Sequence, residues 1–72
     1  MLDTIKIINN TFDFMCKINP CPSSTYKIFV DFMRYVDDKN DENIRKFLRN
    51  KISNMKIIEN NDGEIFRLEM KN

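Results

Sequence analysis

The side chains best arranged for chemistry lie between positions 41 and 56. Arg45, Lys46, Arg49, Lys51 and Lys56 stand there against Asp41 and Glu42, a balance of +3. Wound as a helix, the segment puts Ile44, Phe47, Leu48, Ile52 and Met55 on one face. Arg45, Lys46, Arg49, Asn50, Ser53 and Lys56 take the other. A cationic face of this kind can neutralise phosphate and release its counterions. The same face can simply be solvated, its charges in surface pairs worth about 0–1 kcal/mol each, or it can meet an acidic protein surface. The whole chain, with 12 Lys+Arg against 11 Asp+Glu, is only +1. Any attraction to a polyanion must therefore be local.

Other chemistries are excluded by residue type. There is no histidine, which removes Ser-His-Asp and Cys-His catalysis and histidine-ligated metal. Gly63 is the only glycine, so no phosphate-cradling loop exists. Two cysteines cannot form a four-cysteine zinc site. Asp37, Asp38, Asp41 and Glu42 form the one carboxylate cluster. It lacks the glycine and spacing of a calcium loop and reads as a turn plus a helix cap. Ser23-Ser24-Thr25 follows Pro22 and reads as a helix start capped by Ser23 or Ser24. Cys16 and Cys21 are expected as free thiols, with Cys16 buried as a small hydrophobe. No catalytic residues, cofactor or metal are expected, and the chain reads as a non-enzyme. Of the eight aromatics, most fall on apolar helical stripes and belong to the core. Phe14 and Tyr35 fit that core least, and with Ile65 they make a candidate partner patch.

The elements that must position these groups follow from the hydrophobic spacing. The 72 residues form a single domain, and 42% hydrophobic residues are too many for a disordered chain. Residues 3–18 carry Ile5, Ile8, Phe12, Met15 and Cys16 at helical spacing, with Asp3 as cap. Alternation of Ile5/Ile7 and Phe12/Phe14/Cys16 about Asn9-Asn10 leaves a hairpin as the less favoured alternative. Residues 24–37 form a helix with a stripe of Tyr26, Phe29, Val30, Met33 and Val36. Ile28, Phe32 and Tyr35 widen that stripe, which predicts a central helix covered on more than one side. Residues 41–54 form the basic helix, capped by Asp41 or Asn40. Lys56-Ile57-Ile58-Glu59 and residues 64–70 read as a β-hairpin that must lie on the helices, its turn at Asn60-Asn61-Asp62-Gly63 with Gly63 at positive φ.

The order is helix, Pro-containing connection, helix, short turn from Asp37 to Asn40, basic helix, hairpin. It resembles a winged helix-turn-helix domain, most closely from Ile44 to Met70, where Ile-x-x-Phe-Leu-x-x-x-Ile runs through Met-Lys-Ile-Ile-Glu into Asn-Asp-Gly and a strand. The resemblance implies an α+β three-helix domain with a C-terminal wing and no narrower family. It implies that the third helix enters the major groove of double-stranded DNA, with Asn43, Arg45, Lys46, Arg49, Asn50 and Ser53 facing the bases and Lys56 and Arg67 on the backbone. Here the wing is acidic: residues 57–72 hold Glu59, Asp62, Glu64 and Glu69 against Arg67 and Lys71, a balance of −2.

Two functions are therefore expected. The first is a small DNA-binding regulator, with a homodimer as a candidate state. The alternative is a protein-interaction module on the same scaffold that engages a host or replication protein without nucleic acid. Asn and Ile occur ten times each and Lys eight, types with AT-rich codons, which points to a virus, a phage or a low-GC bacterium. No apolar run spans a membrane, and Asp3, Lys6, Asp13 and Lys17 interrupt any signal-peptide core. A cytoplasmic location is expected, or the host cytoplasm or nucleus for a viral protein.

Overall fold

The computed structural model describes residues 3–60, 62 and 64–71. Helix α1 (Thr4–Lys17) starts at Asp3, whose carboxylate accepts hydrogen bonds from the backbone N–H of Ile5 (3.0 Å) and Lys6 (3.4 Å). The cap satisfies two of the four donors a helix start leaves open. Ile8, Phe12 and Met15, at spacings of four and three, are buried. The helix thus prevails over the hairpin alternative, and Asn9-Asn10 lie inside α1.

Helix α2 (Ser23–Asp38) differs from the expected cap. Its N-cap is Pro22, which offers no side-chain acceptor, and Ser23 and Ser24 already lie in the first turn. The extended backbone of Pro22 (φ −66°, ψ 147°) lets its carbonyl accept from Tyr26 N–H, so the helix starts before either serine can cap it. Phe29 and Val36 face the core, with the Phe29 ring edge-on to Phe12 at 5.0 Å between centroids. Ile28 and Tyr35, expected to widen a covered stripe, are exposed. Cover therefore reaches Phe29 and Val36 fully, and Val30, Phe32 and Met33 in part, but not Ile28 and Tyr35.

The helix also continues through Asp37 and Asp38, and the turn is shorter than the expected Asp37–Asn40. Asn40 takes a left-handed backbone (φ 60°), which asparagine tolerates better than most residues. Asp41, rather than Asn40, caps α3 (Glu42–Ser53), accepting from Asn43 N–H (3.0 Å) and Ile44 N–H (3.2 Å). Leu48 anchors α3 in the core, flanked by partly buried Ile44 and Phe47.

Strands β1 (Met55–Glu59) and β2 (Ile65–Met70) follow directly and pair antiparallel, Met55 with Met70 and Ile57 with Leu68, with an irregularity between Ile58 and Glu59. Leu68 is fully buried and β2 packs on α1, so the hairpin closes the core. Asn60 shapes the turn: its side-chain oxygen accepts from the N–H groups of Asp62 (3.1 Å) and Glu64 (3.0 Å). The positive φ expected at Gly63 lies outside the described residues. The connection between α1 and α2, with a cis Asn19–Pro20 peptide, reaches the edge of β2 through one bond, Cys21 N–H to the Phe66 carbonyl at 3.0 Å. Pro20 and Pro22 on either side have no N–H to donate, so the sheet stays two-stranded. That bond seats Cys21, not Cys16, in the core. Cys16 is only partly buried, and both thiols are free. The chain is thus an α+β domain of three helices and a C-terminal hairpin, in a winged-helix-like layout. No helix among the described residues is long and apolar enough to cross a membrane.

Candidate nucleic-acid interface

With Leu48 and Ile44 inward, helical geometry turns Lys46, Arg49, Asn50 and Ser53 outward. All four are exposed, as is Asn43 at the edge of this face. Arg45, Lys46 and Arg49 converge with Glu42 around a shallow surface cleft of about 200 Å³. Glu42 also sits in the first turn of α3, where a carboxylate complements the helix dipole.

Arg45 has a second engagement. Its Nε lies 3.2 Å from Asp37 Oδ1, and its Nη1 donates to Asn40 Oδ1 at 3.0 Å. It is partly buried and ties the start of α3 to the end of α2 across the left-handed turn. Arg49 Nη2 lies 3.7 Å from the same Asp37 oxygen but stays exposed. One carboxylate therefore spaces two guanidinium groups and holds both at the mouth of the α2–α3 seam. Each contact is partly exposed to solvent and worth about 0–1 kcal/mol, enough to orient a side chain but not to withhold it from phosphate. Asp37 and Asp41 are thus both used structurally, in the pairing and in the cap.

Along the same face, Ser53 Oγ donates to the Asn50 carbonyl (2.9 Å), and the Asn54 side-chain amide donates to Asn50 Oδ1 (3.1 Å). The Asn50 side chain is exposed and keeps its amide nitrogen as a donor. Lys56 is exposed on β1, opposite Glu69 in register. Arg67, in β2, is paired with Glu69 at 2.9 Å, and its Nε is buried without a hydrogen-bond partner among the described residues. It is held against the hairpin and stands apart from the α3 cluster.

One residue missed by sequence reasoning joins the site. Arg34, exposed on α2, lines a cleft of about 310 Å³ with Arg49, Ile52, Asp37 and Asp38. Its position beside Arg49 depends on how α2 crosses α3, which no local spacing encodes. Of the candidate patch, Phe14 and Tyr35 are exposed, while Ile65 is packed against the core. The thiols are poor nucleophiles. Burial pushes both above the ordinary thiol value, and for Cys16 the nearby Asp13 and Glu69 carboxylates add to the rise, against smaller opposing effects of a Met70 backbone hydrogen bond and Lys51.

No family model, no curated protein and no solved structure matches the chain.

Proposed function

We propose that the chain is a small winged-helix-like module that binds double-stranded DNA, with α3 in the major groove. The observation that carries this reading is the outward face of α3. Lys46 and Arg49 are exposed and convergent, Arg45 is held beside them by Asp37, and Arg34 on α2 adds a further exposed guanidinium beside Arg49, in a cleft that Asp37 and Asp38 also line. Arg and Lys offer donors to guanine O6 and N7 or to phosphate, and the outward Asn50 and Asn43 amides suit adenine N6 and N7. Lys56 continues the patch onto the first strand. Glu59, Asp62 and Glu64 repel phosphate, so the wing tip stays off the backbone and α3 supplies the contacts.

Fluorescence anisotropy of a labelled random duplex at two salt concentrations tests this. Four phosphate contacts, from Arg34, Lys46, Arg49 and Lys56, give a slope of log affinity on log salt of roughly −3 to −4, at about 0.9 per contact. Absence of binding at low salt refutes the reading. The second reading, a protein-interaction module, is favoured by one observation: Phe14, Ile28 and Tyr35 are large, apolar and exposed.

A further inference from the structure

We propose that Arg45 and Arg49 share one carboxylate in two different roles. Arg45 latches the α2–α3 turn and is not a DNA contact, whereas Arg49 is an arm that leaves Asp37 for phosphate. The second half rests on the DNA reading of α3; the first does not. Arg45 and Arg49 are one helical turn apart on α3, so both can reach back to the end of α2. They reach the same atom, Asp37 Oδ1, on unequal terms. Arg45 Nε donates to it at 3.2 Å, and Arg45 Nη1 donates a second hydrogen bond, of 3.0 Å, to Asn40 Oδ1. Arg49 Nη2 lies 3.7 Å away, an ion pair beyond hydrogen-bond length. The Arg45 side chain is 28% exposed and that of Arg49 66%.

The two Arg45 bonds close a ring through the turn. Asn40 N–H donates to the Asp37 carbonyl at 3.3 Å, and Asn40 stands at φ 60°. Its side-chain oxygen meets the guanidinium that Asp37 also holds. Arg45 N–H in turn donates to the carbonyl of the capping residue, Asp41, at 2.8 Å. Arg45 is therefore tied at its backbone to the start of α3 and at its guanidinium to both the end of α2 and the turn. No single contact of this strength withholds a side chain from phosphate. Arg45, however, would have to give up two at once, and the turn would lose its cross-link. Arg49 gives up one long ion pair, and its exposed guanidinium already stands with Lys46 at the α3 cleft. Sharing also protects the site. When phosphate takes Arg49, the Asp37 carboxylate keeps Arg45 as its counterion, so no uncompensated negative charge is left beside the DNA backbone.

Magnetic resonance of the arginine Nε–Hε groups in the full chain tests this, first free and then with a random DNA duplex. In the free protein the Arg45 Hε is expected to exchange with solvent about tenfold more slowly than that of exposed Arg34, and the Arg49 Hε at the Arg34 rate. Asn40→Gly keeps the left-handed backbone but removes the side-chain acceptor. It is expected to reduce the Arg45 protection while the circular dichroism spectrum stays that of wild type. With duplex, the Arg49 signal is expected to move and the Arg45 signal to stay in place and protected. Arg49→Gln is expected to flatten the slope of log affinity on log salt by about 0.9, and Arg45→Gln to leave it unchanged. An Arg45 Hε that exchanges as fast as that of Arg34 overturns the latch. A slope that Arg45→Gln flattens as much as Arg49→Gln, or an Arg45 signal that moves with Arg49, overturns the division between them. A duplex that does not bind at low salt refutes the DNA reading and the transfer of Arg49 with it, while exchange in the free protein still decides the latch.

Discussion

The two exposed faces of this domain are built on different physics. On α3 the outward side chains are cationic and already partly organised: Asp37 holds Arg45 at 3.2 Å and Arg49 at 3.7 Å, and Asp41 fixes where the helix begins. On α1 and α2 the large apolar side chains Phe14, Ile28 and Tyr35 stand exposed among charged ones, with Lys39 over the Tyr35 ring. Solvation explains a charged face at no cost, so function there must be shown by binding. Solvation opposes an apolar face, so its presence on so small a domain asks what covers it. The charged face is the site proposed for DNA, and the exposed apolar side chains are what favour the second reading, a protein-interaction module.

The comparison breaks most readily where inward and outward apolar residues alternate. Phe12 and Phe14 lie two residues apart on α1, one buried and one exposed. Phe12→Ala is expected to cost about 3–5 kcal/mol of unfolding free energy. Phe14→Ala, measured by chemical denaturation under dilute conditions, is expected to stay within about 0.5 kcal/mol of wild type. Equal effects would mean that the α1–α2 face is core.

The charged face is sharpened next. Lys46→Glu with Arg49→Glu is expected to weaken duplex binding by more than tenfold, about 1.4 kcal/mol, and to reduce the salt slope by about 2. Thermal unfolding should be nearly unchanged, because neither side chain supports the core. Arg45 is a poorer probe, since reversing it also faces Asp37 with a like charge. Asp41→Ala removes the α3 cap and is expected to cost about 1 kcal/mol, read from urea unfolding. Asp37→Ala should have the smallest effect on stability, at most about 1 kcal/mol. It should also raise DNA affinity slightly, because it removes a negative charge beside two guanidinium groups. A fall in affinity would show that Asp37 positions those groups rather than competing for them.

The thiols give a further check on packing. Burial raises both above the ordinary value of 9.0. Ionisation therefore favours the unfolded chain, and the thiol contribution to stability is intact below about pH 9 and lost as pH rises beyond it. In a thiol-labelling assay near neutral pH, Cys21 should react only on unfolding and Cys16 slowly in the folded protein. Fast labelling of Cys21 in the native state would contradict the fold around the Cys21–Phe66 bond.

What the sequence made legible was whatever depends on local spacing. The Ile8–Phe12–Met15 stripe defines α1, Asp3 and Asp41 mark two helix starts, and the alternation around Leu68 marks β2. Features that depend on how elements meet were not legible. The α2 start shifted because the Pro22 carbonyl, not a serine hydroxyl, closes the first turn. Cys21 displaced Cys16 from the core because its N–H is the one donor between two prolines that reaches β2. Arg34 entered the cationic patch, and Ile65 left the apolar one, only through packing. The Asp37–Arg45 contact spans a turn whose shape rests on the left-handed backbone of Asn40, which residue type permits but does not announce.

The most direct test of the central claim is chemical-shift mapping of the isotopically labelled protein as unlabelled duplex DNA is added. The largest amide shifts are expected in residues 42–53, with smaller ones at Arg34 and Lys56. The α1–α2 face around Phe14 and Ile28 should remain unmoved. Shifts concentrated on that face, or no shifts at low salt, would contradict the placement of DNA on α3.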